Sequence, residues 1–279
     1  MLTAKKKKDY FTIRTYFSLF DGFFFRFPFS SSKKNVHLQR LKQTGMEKDE
    51  TADRRKVAEQ IDVLWRLLTE LQKERFVHEL CVEHYEKDEI IFHEGEAPTH
   101  LSYLLSGKVK ISREGIGGRQ QIVRMIRQGM IFGFRAYFIH ENYMTSASAN
   151  ETCMVARLPL PYIQELVTEN SSIALVIIRQ LATGLGLADR TIVSLTQKHL
   201  RGRLAEALLR LLDNYGTMRD GQTLDIYMTR EDLAQLSNMT TSNAIRTLSD
   251  FAKEGLIAIK GKNLCILDVQ KLQRVSDIG

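Results

Sequence analysis

The sequence predicts an α+β fold in three parts: a β-roll, one long helix that pairs with a second chain, and a C-terminal winged helix-turn-helix. Three observations predict it. Short strand-like segments separated by glycines run from 84 to 158. A helical apolar repeat continues through 171–198, and two short helices followed by a hairpin lie within 199–279.

The N-terminal segment 1–45 differs from the rest of the chain in composition. It holds ten Lys and Arg residues against two Asp, whereas the remaining residues hold 30 against 31. The net charge of +7 therefore comes from this segment and indicates nothing about the partners of the protein. Eight of the fourteen phenylalanines lie between 11 and 29, without helical or strand periodicity. We expect Met46 to be the true start and 1–45 to be upstream sequence; the alternative is a basic, aromatic arm at a membrane surface.

The cysteines and the hydropathy pattern predict a cytoplasmic protein. Cys81, Cys153 and Cys265 lie far apart with no C-x-x-C pair, which is typical of reduced thiols. No uninterrupted apolar run reaches the roughly 18 residues of a membrane span.

The first half of the chain predicts a helix followed by a compact β-roll. Apolar residues at intervals of three and four predict an amphipathic helix over 51–72, namely Val57, Ile61, Leu64, Leu68 and Leu71. Leu101, Tyr103 and Leu105 then alternate as in a strand, and glycines separate the strand-like segments. Strands this short and regularly turned are typical of a barrel or roll.

The long helix carries a heptad repeat. Asn170, Ser171 and Ser172 are candidates for its N-cap. The repeat positions are Ala174, Ile178, Leu181, Leu185, Ala188, Ile192 and Leu195. At 1.5 Å per residue the helix is about 40 Å long, which exceeds one small domain, so these positions predict a homodimer interface. The alternative is that the helix packs along its own roll.

The C-terminal part predicts two helices joined by a tight turn. Thr229 caps the first helix, which buries Leu233, Ala234 and Leu236. Asn238 occupies the turn because asparagine tolerates left-handed backbone, and Thr240 caps the second helix. A strand-like segment over 223–228 precedes the pair, and a hairpin turning at 260–262 follows it.

The start of the second helix predicts a DNA-reading surface. Thr241, Ser242 and Asn243 place short polar side chains on its first turn, and Arg246 adds a fork able to grip guanine. A well-capped surface helix is the alternative, but the tight turn before it and the basic hairpin after it favour DNA. The residues predicted to contact DNA are Thr229, Arg230, Thr240, Thr241, Ser242, Asn243, Arg246, Lys260 and Lys262.

Several segments together resemble the Crp/Fnr family of bacterial transcription regulators over about 84–270. They are HEGEAPTHLSYLLSGKVKI, RQGMIFGF, GRLAEALL and SNMTTSNAIRTL, and the last is similar to a branch from anaerobic gut bacteria, some of whose members govern carbohydrate use. The resemblance implies a cyclic-nucleotide-binding-like sensor domain over 46–170, a dimerisation helix over 171–198 and a DNA-binding domain over 199–279. It also implies double-stranded DNA with a near-palindromic operator and RNA polymerase as partners.

The resemblance weakens at the residues that bind cyclic AMP in the family. Phe134 replaces the ribose-binding glutamate after Gly133, and Met144 replaces the phosphate-binding arginine, although Thr145 keeps a hydroxyl. Arg135 lies on the wrong side of the loop to substitute. On the long helix the adenine-contacting pair becomes Ala188 and Asp189. We therefore expect an unidentified effector, not cyclic AMP bound in the usual mode, in a pocket near Gly133, Phe134, Arg135, Met144, Thr145, Ala188 and Asp189.

The sequence predicts neither a cofactor nor catalysis. Three scattered cysteines are too few for an iron–sulfur cluster, and no metal site is predicted. Haem is an alternative because four histidines lie in the roll segment: His84, His93, His100 and His140. A cyclic-nucleotide- or haem-binding sensor module is thus the competing function. The chain shows no nucleophile–base set or P-loop, so we expect a non-enzyme.

Overall fold

The computed structural model describes the backbone of residues 45–279 and the side chains from residue 51. Residues 46–279 form one compact unit. The predictions made for segment 1–45, including that it lies upstream of the true start, concern residues outside the described ones, apart from the backbone of Gly45.

The predicted single helix over 51–72 is wrong, because three helices occupy this region. They are α1 (Gly45–Gln60), α2 (Asp62–Trp65) and α3 (Glu70–Glu79). The Thr69 side chain accepts a hydrogen bond from the Gln72 amide, and the Gln72 side chain accepts one from the Thr69 amide, so a new helix begins here. Leu71 consequently lies 79% exposed instead of continuing the apolar face.

The predicted β-roll is present as two four-stranded antiparallel sheets with orders β1-β8-β3-β6 and β2-β7-β4-β5. The strands are β1 (Cys81–Tyr85), β2 (Ile90–Phe92), β3 (His100–Ser106), β4 (Val109–Glu114), β5 (Gln120–Ile126), β6 (Ile131–Phe132), β7 (Ser146–Ala149) and β8 (Cys153–Pro159). Leu104, Val109 and Ile126 pack between the sheets and are fully buried. Gly107 makes the β3–β4 turn at φ +84°, where a Cβ would approach Cys153 to 2.5 Å.

Helices follow or interrupt the strands of the roll. A short helix α4 (Arg135–Phe138) lies between β6 and β7, and α5 (Leu160–Glu169) follows β8. The long helix α6 (Ser171–Gln197) begins as predicted, because the Asn170 side chain accepts hydrogen bonds from the amides of Ser172 and Ile173. Its first turns bury Ile173 and Ile177 against the roll.

Most of the apolar surface of α6 is exposed in the single chain. By length and composition it is the one helix among residues 45–279 that could cross a membrane. Ile178, Leu185 and Ile192 of the predicted heptad are 57%, 64% and 59% exposed. The alternative in which these positions pack along their own roll is therefore wrong.

The C-terminal part contains the predicted winged helix-turn-helix. Its elements are α7 (Leu200–Tyr215), α8 (Arg230–Leu236), α9 (Thr241–Lys253), β9 (Ile257–Lys260), β10 (Asn263–Ile266) and α10 (Val269–Ile278). The predicted strand over 223–228 is wrong: only Thr223 and Leu224 make isolated bridges, to Cys265 and Thr217. The remaining residues have no ladder partner, so their apolar side chains fill the core as an irregular segment.

Candidate nucleic-acid interface

A reciprocal pair of hydrogen bonds sets the start of α8. The Thr229 hydroxyl accepts from the Asp232 amide at 2.9 Å, and the Asp232 carboxylate accepts from the Thr229 amide at 3.0 Å. Sequence reasoning identified Thr229 as the cap but missed Asp232, although an acidic residue three positions after a threonine is the signal for this box. Burial raises the pKa of Asp232, but hydrogen bonds from Thr229 and Lys110 outweigh it and hold that pKa below its ordinary value.

The turn between the helices depends on one left-handed residue. Asn238 has φ +50°, as the sequence predicted. The Met239 amide then reaches back to the Ala234 carbonyl at 2.9 Å. Asparagine tolerates this backbone because its short amide can form local hydrogen bonds. The turn packs α9 against α8, and Ala234 and Ala244 are both buried in the core that the two helices share.

Helix α9 presents its polar first turn to solvent. The Thr240 hydroxyl accepts a hydrogen bond from the Asn243 amide at 3.2 Å and caps the helix. Ala244, Leu248 and Phe251 repeat at helical spacing and are buried. The opposite side is the reading face, which we define as the exposed residues Thr241, Ser242 and Arg246 together with the half-buried Asn243.

Arg246 is held within the reading face by a neighbouring side chain. Its Nη2 donates a hydrogen bond to the Asn243 Oδ1 at 3.3 Å, one helical turn earlier. This bond points the guanidinium toward the N-terminal turn of α9. The other N–H donors of Arg246 have no hydrogen-bond partner among the described residues, and a guanidinium fork can pair with the N7 and O6 acceptors of guanine.

The hairpin after α9 forms the predicted wing. Strands β9 and β10 pair with Lys260 opposite Asn263, so the turn consists of Gly261 and Lys262. Gly261 has φ +60°, as a two-residue turn of this kind requires. Both lysines are exposed, and the Lys262 Nζ lies 5.9 Å from the centre of the Tyr227 ring. Two exposed cations at a hairpin tip can contact phosphates.

The residues predicted to form an effector pocket lie in three places. Gly133, at φ +79°, accepts a hydrogen bond from the Tyr143 hydroxyl at 3.0 Å, which joins its loop to the segment that contains Met144 and Thr145. Phe134 is only 3% exposed and packs against Phe138 and the helices beneath the roll. Arg135 is exposed, and Ala188 and Asp189 lie on exposed turns of α6.

Aromatic rings occupy the interior of the roll beside the Gly133 loop. Phe92 and Tyr143 stack with ring centres 3.9 Å apart and planes 18° from parallel, and Phe132 lies 6.4 Å from Phe92. A Cβ on Gly133 would lie 3.5 Å from the Phe92 ring. The loop therefore closes directly over packed side chains.

The roll also holds a cation that sequence reasoning missed. The Arg157 Nη1 donates to the Glu83 carboxylate at 2.8 Å and to the Tyr85 hydroxyl at 3.1 Å, and Arg157 Nη2 lies 3.4 Å from the His100 Nδ1. Burial and the hydrogen bond to Glu83 raise the pKa of Tyr85 to about 12. Arg157 therefore forms an ion pair with Glu83 within the roll, and its positive charge is already neutralised there.

The four histidines of the roll and the three cysteines do not form a cluster. His84, His93 and His140 are exposed, and only His100 is half-buried. Cys81 is exposed, whereas Cys153 and Cys265 are buried in different cores. Among the described residues, no group of three or more His, Cys, Asp or Glu side chains could hold a metal ion.

Two family models match the chain in the order that the fold requires. The cyclic nucleotide-binding domain matches residues 82–170, which cover the roll and α5. The Crp-like helix-turn-helix domain matches residues 202–275, which cover α8, α9 and the wing.

Known proteins with the same arrangement span most of the described residues. A CRP-like cAMP-activated global transcriptional regulator from Mycobacterium tuberculosis is 28% identical over 66% of this chain and 83% of its own length. A Crp/Fnr-family regulator from Eubacterium rectale shares the fold with a TM-score of 0.64 at 21% identity, over 77% of this chain and 97% of its own. The c-di-GMP-responsive regulator CLP from Xanthomonas campestris gives 0.64 at 22% identity, over 72% and 100%.

The roll, the helix-turn-helix and the wing thus follow one another in one chain, in the order of the two family-model matches. A cyclic nucleotide-binding-type roll that leads through one long helix into a Crp-like helix-turn-helix identifies the chain as a member of the Crp/Fnr family of DNA-binding transcription regulators.

Proposed function

We propose that the protein is a cytoplasmic homodimer that binds a near-palindromic operator by inserting α9 of each chain into the major groove. The observation that carries this proposal is the reading face, where Thr241, Ser242 and Arg246 are exposed at the start of a helix whose other side is buried. Short polar side chains allow the helix to approach base edges closely.

The dimer interface of this proposal is the exposed heptad of α6. Ile178, Leu181, Leu185, Ile192 and Leu195, with Ala188 between them, follow one stripe on a helix about 40 Å long. Covering such an apolar stripe removes it from water and stabilises the protein, and a second copy of the same helix offers an identical surface. Gly184 and Gly186 leave open space on this helix, which lets two backbones approach closely.

The predicted contact residues fall into groups with different roles in this proposal. Arg246 reads guanine, and Thr241, Ser242 and Asn243 make the shorter contacts of the first turn. Lys260 and Lys262 on the wing contact phosphates. Arg230 contacts phosphate through its charge at the start of α8, Thr229 holds that start through its cap, and Thr240 stands at the start of α9, where backbone amides favour phosphate oxygens.

The effector of this proposal is a small molecule other than cyclic AMP bound in the usual mode. Met144 has no charge to pair with a cyclic phosphate, and Arg157 is already paired with Glu83. Phe134 is buried in the core, so it does not contact a ribose. The M. tuberculosis relative is named cAMP-activated and the X. campestris relative c-di-GMP-responsive, so ligands differ within this fold. The exposed positions of His84, His93 and His140 favour a small molecule over haem.

Recruitment of RNA polymerase and control of carbohydrate or anaerobic metabolism complete the proposed role. Genome-wide DNA pull-down with the tagged protein tests it, followed by selection from a random duplex pool. An inverted repeat bound by two chains is the expected result. Recovery of no enriched sequence, or binding by a single chain, would refute the proposal.

Calorimetry tests the effector proposal separately. Cyclic AMP should show no saturable binding at micromolar affinity, which corresponds to about −8 kcal/mol. Cyclic di-GMP serves as the second titrant. Saturable cyclic AMP binding in that range would contradict the reasoning from Phe134 and Met144.

A further inference from the structure

A partly buried ion pair joins the β-roll to the DNA-binding domain within one chain. The Lys110 Nζ on β4 lies 3.1 Å from the Asp232 Oδ1 on α8, and the two side chains are 17% and 11% exposed. Asp88, in the turn before β2, lies 3.6 Å from the same nitrogen. Because Asp232 also forms the capping box of α8, the lysine is attached to the first turn of the helix-turn-helix.

A second polar contact lies beside this ion pair. The Asn150 Nδ2 donates to the Tyr227 carbonyl oxygen at 3.2 Å, in the segment that leads into α8. We call these two contacts, Lys110–Asp232 and Asn150–Tyr227, the docking contacts. Both use groups that are at least partly withdrawn from water, so a lost partner leaves a polar group unpaired.

Apolar packing surrounds the docking contacts. Ile122 and Met125 of β5 are buried in the core of the DNA-binding domain and not between the two sheets of the roll. The Tyr215 hydroxyl at the end of α7 donates to the Ile126 carbonyl at 3.3 Å. The interface between the two domains is therefore continuous, and the polar contacts are not isolated surface pairs.

The docking contacts lie next to the segment with Met144 and Thr145, which belongs to the effector pocket expected from the sequence and which we call the effector loop. Strand β7 begins one residue after Thr145 and ends one residue before Asn150. It pairs with β4 so that Ser148 lies opposite Lys110. The Asn150 amide also donates to the Lys108 carbonyl at 2.8 Å. Thus one short strand runs from the loop to both docking contacts.

The docked arrangement leaves both functional surfaces open. Thr241, Ser242 and Arg246 remain exposed, and so do Ile178 and Leu185 of the α6 heptad. Docking therefore blocks neither DNA nor a second chain. It restricts instead the orientation of α9 relative to the roll and α6.

We propose that Lys110 and Asn150 are positioning residues for DNA reading: they hold α9 in the orientation that a two-half-site operator requires. This inference rests on the proposed dimer and operator. Two recognition helices must lie one helical turn of DNA apart, so a fixed domain removes an ordering cost from binding. Movement of β7 at the effector loop would act on DNA affinity through the same contacts.

The test compares the full-length chain with Lys110→Met and Asn150→Ala on a fluorescent operator duplex that the wild type has selected from a random pool. Arg113→Met is the control, because Arg113 is also a β4 cation but pairs at 3.5 Å with Glu94, on the surface of the roll and away from the DNA-binding domain. We expect roughly tenfold weaker binding for each docking variant, within the usual range of coupling between sites, and wild-type affinity for the control.

Two further readouts separate positioning from direct contact or misfolding. The slope of affinity against salt and the base preference should match the wild type, because no phosphate or base contact is lost. Amide hydrogen exchange over 227–232 should rise in both docking variants and not in the control, while thermal unfolding shows each variant folded.

Three results would overturn the inference. Unchanged affinity in both docking variants would mean that the contacts do not position α9. A salt slope reduced by about one in Lys110→Met, with Asn150→Ala unaffected, would make Lys110 a phosphate contact. A wild-type protein that selects no duplex would refute the proposed function itself, and the inference would fall with it.

Discussion

Replacement of Arg246 by alanine is the sharpest test of how α9 meets DNA. The side chain is exposed and its hydrogen bond to Asn243 joins two surface groups, so the change should leave folding intact. A bidentate contact to guanine discriminates against other bases by about 1–3 kcal/mol. With one Arg246 in each chain of a dimer, the total loss is about 2–6 kcal/mol, or roughly 30-fold or more in affinity.

The assay is a binding titration against the selected operator and its single-base variants at several salt concentrations. Arg246→Ala should lose affinity for the selected operator and relax the preference at one base position in each half-site. Lys253→Ala is the matched control, because Lys253 is an exposed cation at the far end of the same helix, 3.7 Å from Asp250. Its removal should change neither preference nor affinity by more than the small effect of a surface charge.

An even loss across all duplexes would refute this reasoning. Arg246 would then be a phosphate contact, and α9 would not lie in the major groove in the proposed orientation. A smaller loss for Asn243→Ala with the same base preference would be consistent with its role in orienting Arg246.

Three other perturbations probe different parts of the molecule. The double variant Leu181→Asp with Leu185→Asp would place four charges in the dimer interface, and each unpaired charge costs several kcal/mol, so sedimentation should show monomers. The control Thr183→Asp should leave the dimer intact. An unchanged dimer in the double variant would place the interface elsewhere. Lys262→Ala should weaken all duplexes equally and flatten the salt dependence by about one unit, and a changed base preference would contradict a phosphate role. The pKa of Asp232 is lower in the folded protein than in the unfolded chain, where an aspartate has a pKa of about 4. Its contribution to stability is therefore complete when the pH is above that unfolded-chain pKa, and it is lost as the pH falls through the pKa of the folded state. The difference in unfolding free energy between wild type and Asp232→Asn should therefore be constant from about pH 5 to 7 and shrink below pH 4, and a constant difference at pH 2 would exclude the carboxylate as its source.

Local chemistry explains which elements sequence reasoning placed correctly. The caps at Asn170, Thr229 and Thr240 and the left-handed turn at Asn238 depend on side chains within a few residues of each other. The same reasoning failed over 51–72, where the heptad-like apolar spacing continued through a break that Thr69 and Gln72 create. It failed again over 223–228, where a strand-like segment pairs only through isolated bridges at Thr223 and Leu224 and does not continue as a strand.

The sequence by itself determined the three-part architecture, the helix-turn-helix and the polar residues at the start of α9, because periodicity, caps and turn residues act over short distances. Only the tertiary structure decided that Phe134 belongs to the core, that Arg157 is neutralised by Glu83, and that the α6 heptad is exposed in the single chain. Tertiary structure alone also brought Lys110 to Asp232, which lie 122 positions apart. A pattern along the chain cannot specify such a pair, since a lysine or an aspartate carries no sign of its distant partner until the domains pack.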